Sequence, residues 1–295
     1  MRRLCLALLS LAAICAAGAA VAGELRVAHF RAASLGRDWT YEIYLPTGYD
    51  ATARRYPVIF LLHGVSDDPT VWQVKAGIVA MADRLIASGA LQPSILVMPA
   101  AGRSWYVDGP EKMETAFAGD LLPEIDRIWR TEPQRQARTI AGISMGGYGA
   151  MRLALRHPDR FSAVALLSPA IYAPEPPPIS AARISPAFQA GGNFDGERWR
   201  RLNYPALLDD FVRSGWRLRV QLTAGTGDRY DTGAAARHFA AALQARGRPA
   251  EIALFPGAHD WSLWRTTLPL ALRFLGGPPQ VAQAAAPRPP AAAAK

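Results

Sequence analysis

Cysteine is almost absent. The 295-residue chain has two, Cys5 and Cys15, and both fall in its first 22 residues. If that stretch is removed, the remainder holds no disulfide, no thiol nucleophile and no thiolate metal ligand. Clusters of His, Asp or Glu at metal-ligand spacing are also missing, as is a glycine loop suited to a nucleotide, so no metal and no cofactor is expected. The formal charge is +9, yet the basic residues are mostly arginines spread along the chain rather than gathered in a block. With no nucleic-acid motif beside it, this charge is expected to be a solvated surface, and nucleic acid is not an expected partner.

The chain opens "MRRLCLALLSLAAICAAGAAVAG", with a basic start, an apolar middle and a small-residue end. This is the pattern of a secretory signal peptide over residues 1–22, cleaved after Ala22, which predicts an exported protein, periplasmic or secreted, without a stable membrane anchor. The alternative is an uncleaved anchor helix, and the Ala-rich end argues against it. Cys15 is not expected to carry a lipid, because Ile14 is bulky where such sites need a small residue. At the other end, "GGPPQVAQAAAPRPPAAAAK" (276–295) is low-complexity and reads as a disordered tail.

Between these ends the chain is half hydrophobic, enough for a sizeable core. Two alternating runs, 24–31 and 39–49, predict an antiparallel strand pair. The continuous apolar runs "YPVIFLLHG" (56–64) and "SILVMPA" (94–100) predict central strands buried on both faces. Helical spacing follows at 74–88 and at 114–129, where Pro123 should kink or divide the helix. Then come strand 138–143, helix 145–156, strands 161–167 and 217–224, helix 231–246, strand 250–255 and a helix from about 261 to 275. Strands alternating with helices predict one α/β domain over 23–275, with a mostly parallel sheet covered on both faces. Residues 170–215 break the rhythm, are proline-rich at their start, and are expected to hold no strand and to form part of a lid.

The segment "RTIAGISMGGYGAMRLALRH" places Ser144 between a strand-like and a helix-like run, within Gly142-Ile143-Ser144-Met145-Gly146. That is the Gly-x-Ser-x-Gly nucleophile elbow, in which the serine occupies a strained turn with its hydroxyl pushed outward. Side chains two residues before and after would collide, which accounts for glycine at both. The following helix aims its positive N-terminus at the site.

A serine hydroxyl needs a base, and the base an orienting carboxylate. On a fold with this elbow the chain order is serine, acid, histidine. Of five histidines, His29 lies on an early strand, His63 precedes the serine, His157 ends the helix after the elbow and His238 sits inside a helix. His259, in the loop "PGAHDW" after a strand, has both the right order and the right place. Asp228 stands just past strand 217–224 and is the favoured acid; Asp231 is the alternative, although helical spacing beginning after it suits a cap. Asp260 adjoins His259, and neighbouring loop side chains rarely face each other. Two backbone N–H groups should hold the developing oxyanion, those of Met145 and Val65, with His63 bracing the turn that carries Val65. Trp72, Trp105, Tyr106, Trp261 and Trp264 lie in or near loops at the strand ends, and Trp105 or Tyr106 is expected to touch substrate.

Together, "YPVIFLLHG" followed by Trp72, "SWYVDG", "AGISMGGYGAMRLALRHPDRFSAV", "GTGD" and "HDWSLW" resemble the esterase D-like branch of the α/β-hydrolases. That branch includes S-formylglutathione hydrolases, microbial feruloyl esterases and the antigen 85 mycolyltransferases. The resemblance spans about residues 40 to 275. It implies an α/β-hydrolase fold, Ser144 as nucleophile, Asp228 as acid, His259 as base and the Val65 and Met145 amides as oxyanion hole. It also implies a serine carboxylesterase acting on a small-molecule or glycan-linked ester, with acyl transfer to an alcohol as the alternative and a non-catalytic binding protein as a more distant one. Two departures bear on substrate. The formylglutathione enzymes are cytosolic, unlike a chain with a signal peptide, and the mycolyltransferases use glutamate where this chain has Asp228.

Overall fold

A computed structural model describes residues 22–277; the expected signal peptide, apart from Ala22, and the expected tail beyond Gly277 lie outside the described residues. The strands are β1 (Glu24–Ala32), β2 (Arg37–Leu45), β3 (Val58–Leu62), β4 (Ile95–Pro99), β5 (Arg138–Ile143), β6 (Ala163–Leu167), the short β7 (Gln189–Ala190) and β8 (Asn193–Phe194), β9 (Arg219–Gly225) and β10 (Glu251–Phe255). Eight form one sheet in the order β1-β2-β4-β3-β5-β6-β9-β10, while β7 and β8 pair with each other. β1 and β2 run antiparallel, β2 is antiparallel to β4, and every later pair in the main sheet is parallel. This strand order, with a tight serine turn after β5, is the α/β-hydrolase fold.

The helices are α1 (Val71–Val74), α2 (Ile78–Ala87), α3 (Met113–Ala116), α4 (Leu122–Ile128), α5 (Met145–Arg156), α6 (Gly196–Leu202), α7 (Tyr204–Arg213), α8 (Thr232–Gln244) and α9 (Trp261–Gly276). The central strands are apolar throughout because both faces are covered. Along β3, Val58, Phe60 and Leu62 join one core with residues of α3–α8. Ile59 and Leu61 join the other, with residues of α1, α2 and α9. The same alternation holds in β4, where Ile95 and Val97 face the first core and Leu96 and Met98 the second.

Where the structure differs from the sequence reading, backbone chemistry explains it. The helix expected at 74–88 starts only at Ile78, after Gly77, whose φ of 61° no right-handed helix accommodates, and Val74 instead ends the short α1. The helix expected at 114–129 is indeed divided, with a π-helical turn (Phe117–Leu121) joining α3 to α4. Pro123 follows that turn and has no N–H to give the helical ladder. Residues 170–215 contain α6 and α7 and, against the expectation of no strand, the β7–β8 hairpin. The hairpin turns at Gly191 and Gly192, with φ of 57° and 81°. The carboxy-terminal helix runs through Gly276, one residue into the expected tail. Among the described residues no helix is long and apolar enough to cross a membrane.

Candidate active site

β5 ends at Ile143 and α5 starts at Met145, so Ser144 alone makes the turn, at φ 53° and ψ −115°. A non-glycine residue there is strained. It is held by neighbours: the Ser144 N–H donates to the Leu167 carbonyl (3.0 Å), and its carbonyl accepts from Ala170 (3.1 Å) and Tyr148 (3.0 Å). The flanking glycines have distinct causes. A methyl on Gly142 would overlap the Gly146 carbonyl, the collision anticipated from the spacing. A methyl on Gly146 would overlap the Leu62 carbonyl of the adjacent strand, so this glycine is what lets α5 approach β3.

Around this turn the structure gathers three side chains 31 and 115 residues apart in sequence. Ser144 Oγ lies 2.9 Å from His259 Nε2, and His259 Nδ1 lies 2.7 Å from Asp228 Oδ2. β9 and β10 are parallel neighbours, so the loops after Gly225 and Phe255 run side by side, joined by the Gly227 N–H donating to the Gly257 carbonyl (2.9 Å). The carboxylate of Asp228 has a fully buried side chain. Besides the imidazole it accepts the Tyr230 amide (2.9 Å) and the Thr232 hydroxyl. Burial pushes this carboxyl up, but the hydrogen bonds from His259, Thr232 and Tyr230, with the charge on His259, outweigh it and hold the group below the ordinary carboxylate range. An ionised Asp228 accepts the His259 Nδ1–H, leaving Nε2 as an acceptor for the serine hydroxyl.

The competing residues are engaged elsewhere. Asp231 caps α8, accepting the Ala234 amide, and Asp260 caps α9, accepting the Ser262 and Leu263 amides. His238 and His29 are exposed on α8 and β1, and His157 lies 3.7 Å from Glu114. His63 is fully buried, with Nδ1 against the Gly64 carbonyl (2.8 Å) and Nε2 accepting the Ala101 amide (3.0 Å). Burial lowers its pKa, so a neutral ring ties the turn after β3 to the end of β4. Val65 stands on that turn and lines the same cavity as Ser144. Met145 is the first residue of α5, and its N–H therefore has no acceptor within the helix.

Ser144 and His259 open into a cavity of about 300 Å³. Its walls carry Trp105, Tyr172, Tyr230, Trp261 and Trp264, and Ala170, Ser180 and Ala181 of the 170–215 excursion form another part. Tyr230 and Trp264 also pack edge-on to the His259 ring, at 4.8 and 5.1 Å between centroids, and fix its plane. Trp105 lines the cavity; Tyr106 and Trp72 do not, which corrects the expectation for Tyr106. Trp105 and Tyr106 adopt successive positive φ angles (57° and 56°), so the chain turns Tyr106 inward. Its ring abuts Gly149, and its hydroxyl donates to the His63 carbonyl (3.2 Å). Tyr172, Tyr230 and Asp67 were not anticipated. Tyr230 had a signal, since it follows Asp228 in "TGDRYDTG", whereas the others reach the cavity through loop conformation. No group of three or more His, Cys, Asp or Glu side chains among the described residues could hold a metal ion.

The fold and this arrangement define an esterase-type α/β-hydrolase. The family described as Putative esterase matches residues 32–275, and the chain belongs to it. It is 34% identical over 165 residues to an endo-1,4-beta-xylanase/feruloyl esterase of Xylanibacter ruminicola, covering 52% of this chain and 22% of that protein. It is 32% identical over 140 residues to an esterase of Mycobacterium tuberculosis, covering 45% and 29%. The chain thus spans less than a third of the length of these relatives. Among solved structures it is similar to a ferulic acid esterase, at 27% identity and a TM-score of 0.71, covering 86% of this chain and 98% of that one. The fold is shared with an S-formylglutathione hydrolase of Staphylococcus aureus at 20% identity and a TM-score of 0.68, covering 86% and 98%.

Proposed function

We propose that this protein is an exported serine carboxylesterase, with Ser144 as nucleophile, His259 as general base and acid, and Asp228 as the orienting carboxylate. The observation that carries the reading is the continuous hydrogen-bonded line from Ser144 Oγ through His259 to Asp228 at the wall of an aromatic cavity. Ser144 Oγ attacks the ester carbonyl carbon while His259 Nε2 takes the hydroxyl proton. The imidazolium is stabilised by Asp228, and the tetrahedral oxyanion by the Val65 and Met145 amides at the positive end of α5. Collapse expels the alcohol, protonated by His259. Water, deprotonated by the same ring, then attacks the acyl-enzyme, and the carboxylic acid leaves.

Flat aromatic walls favour an aryl or short alkyl acyl group. Similarity to proteins named feruloyl esterases supports aromatic acids on glycan alcohols as the first substrates to test. The amino-terminal 22 residues support export, and mass spectrometry of the mature chain should find cleavage after Ala22. The central test is Ser144→Ala with p-nitrophenyl esters and methyl ferulate. Loss of a triad nucleophile costs on the order of a million-fold in kcat, and unchanged turnover would overturn the proposal.

A further inference from the structure

The turn after β3 carries adjacent carboxylates that behave differently. Asp68 is exposed and used locally, accepting the Thr70 amide (2.8 Å) and the Thr70 hydroxyl (2.6 Å). Asp67 is half-buried and lines the cavity together with Val65, Ser144 and His259. A methyl group built on Gly64 would lie 3.2 Å from Asp67 Oδ2 and 3.9 Å from Ser144 Cβ. About one side chain's width therefore separates this carboxylate from the nucleophile.

The surroundings of Asp67 leave it partly unanswered. The Trp261 indole acts on it as a weak side-chain donor, and among the described residues the charged or titratable groups that act on it are His63, Lys75 and Asp68. Arg229 also lines the cavity, but its exposed guanidinium lies over the Tyr230 ring and donates to the Tyr230 hydroxyl (2.7 Å), and it is not among the groups that act on Asp67. His63 is held neutral, as described above. Burial raises the Asp67 carboxyl above its ordinary range, against the opposing pull of Lys75. A negative charge beside the place where an oxyanion develops works against catalysis unless something in the substrate answers it. A carboxylate has about four lone-pair positions, and the indole N–H answers at most one of them.

We propose that Asp67 sets the charge selectivity of the cavity. Esters that bring a hydroxyl or ammonium donor to this wall are accepted, and esters that bring a carboxylate there are rejected. The inference rests on the esterase reading above and adds a specificity determinant to it. Rejection comes from like-charge repulsion in a partly desolvated site, which discriminates more strongly than the added contact attracts.

The test uses three p-nitrophenyl esters of equal chain length: hexanoate, 6-aminohexanoate and the adipate half-ester. A second set places the same three charges on the alcohol side of a butyrate ester. The value of kcat/KM is measured for wild type, Asp67→Asn and Asp67→Glu at neutral pH and low ionic strength. Wild type should prefer the cationic to the anionic ester in at least one set by roughly tenfold or more, the size of a screened interaction between unit charges at this range. Asp67→Asn should bring that ratio towards one, and Asp67→Glu should keep it. The inference is overturned by a wild-type ratio near one in both sets, or by an unchanged ratio in Asp67→Asn. Failure of wild type to hydrolyse even the neutral esters would instead overturn the esterase reading, and this inference with it.

Discussion

Replacing Asp228 by Asn tests the site at its most constrained point. The carboxylate receives three donors: the His259 ring, the Thr232 hydroxyl and the Tyr230 amide. It can accept all of them because it has no hydrogen to place. An asparagine has one oxygen and one NH2 group. If its oxygen takes the Oδ2 position, the NH2 meets the Tyr230 N–H, donor against donor. If its oxygen takes the Oδ1 position, the NH2 faces His259 Nδ1. The ring is then driven to carry its proton on Nε2, where it can no longer accept the Ser144 proton. The second arrangement satisfies the buried amide and is the one expected to prevail. In another triad enzyme the same exchange lowers kcat about 10⁴-fold through the wrong tautomer, or ~5.5 kcal/mol of transition-state stabilisation. A similar loss is expected here in kcat for p-nitrophenyl butyrate, with KM little altered. Stability should respond in step with pH. A carboxyl held below its unfolded value contributes stability above the unfolded pKa, near 3.9. That contribution disappears as pH falls through the folded value. The melting temperature of Asp228→Asn should therefore lie below wild type at neutral pH, and the gap should narrow in acid. A loss of activity under tenfold would refute the tautomer argument, and a gap independent of pH would refute the electrostatic one.

Gly146→Ala should destabilise by roughly 1–3 kcal/mol or more, since a methyl there overlaps the Leu62 carbonyl and α5 cannot move away without dragging Ser144; denaturant titration measures it, and wild-type stability would show that α5 shifts freely. The buried pair of Arg152 on α5 and Glu114 on α3, 2.8 Å apart, gives a second stability prediction. Burial raises the Glu114 carboxyl, but His157, Arg152 and Arg156 outweigh this and hold it below its ordinary range. Glu114→Ala strands a buried guanidinium and should cost about 3–5 kcal/mol, while a double Glu114→Ala/Arg152→Met variant should recover much of that loss.

What the sequence discloses and what it hides divides along one physical line. The Ser144 turn was legible because a strained strand-to-helix backbone writes glycine into fixed neighbouring positions. His259 and Asp228 were legible because parallel strands place consecutive loops at one end of the sheet, so a strand boundary alone brings the two residues near the serine. Chain order and strand ends did the remaining selection. The choice of Asp228 over Asp231 followed from the same logic: the spacing beginning after residue 231 marks a helix start, and a residue spent as a cap is not free to orient an imidazole.

The cavity walls follow no such rule. Trp105 and Tyr106 are adjacent aromatic residues in one loop, and sequence offered no way to choose between them. Two successive positive φ angles send one to the cavity and the other beneath the turn after β3. Tyr172 reaches the site from an excursion whose course depends on tertiary contacts such as the Trp199 indole and the Asn203 amide donating to its carbonyl. Asp67 resembles Asp68 in every local respect, yet one accepts its own loop's donors and the other faces the nucleophile. On the proposed reading, reaction chemistry falls to positions that sheet topology fixes, and substrate choice to positions that only the folded loops fix. It follows that exchanging Asp67 or Tyr230 should redistribute substrates among esters, whereas exchanging Ser144, Asp228 or His259 should abolish turnover of all of them alike.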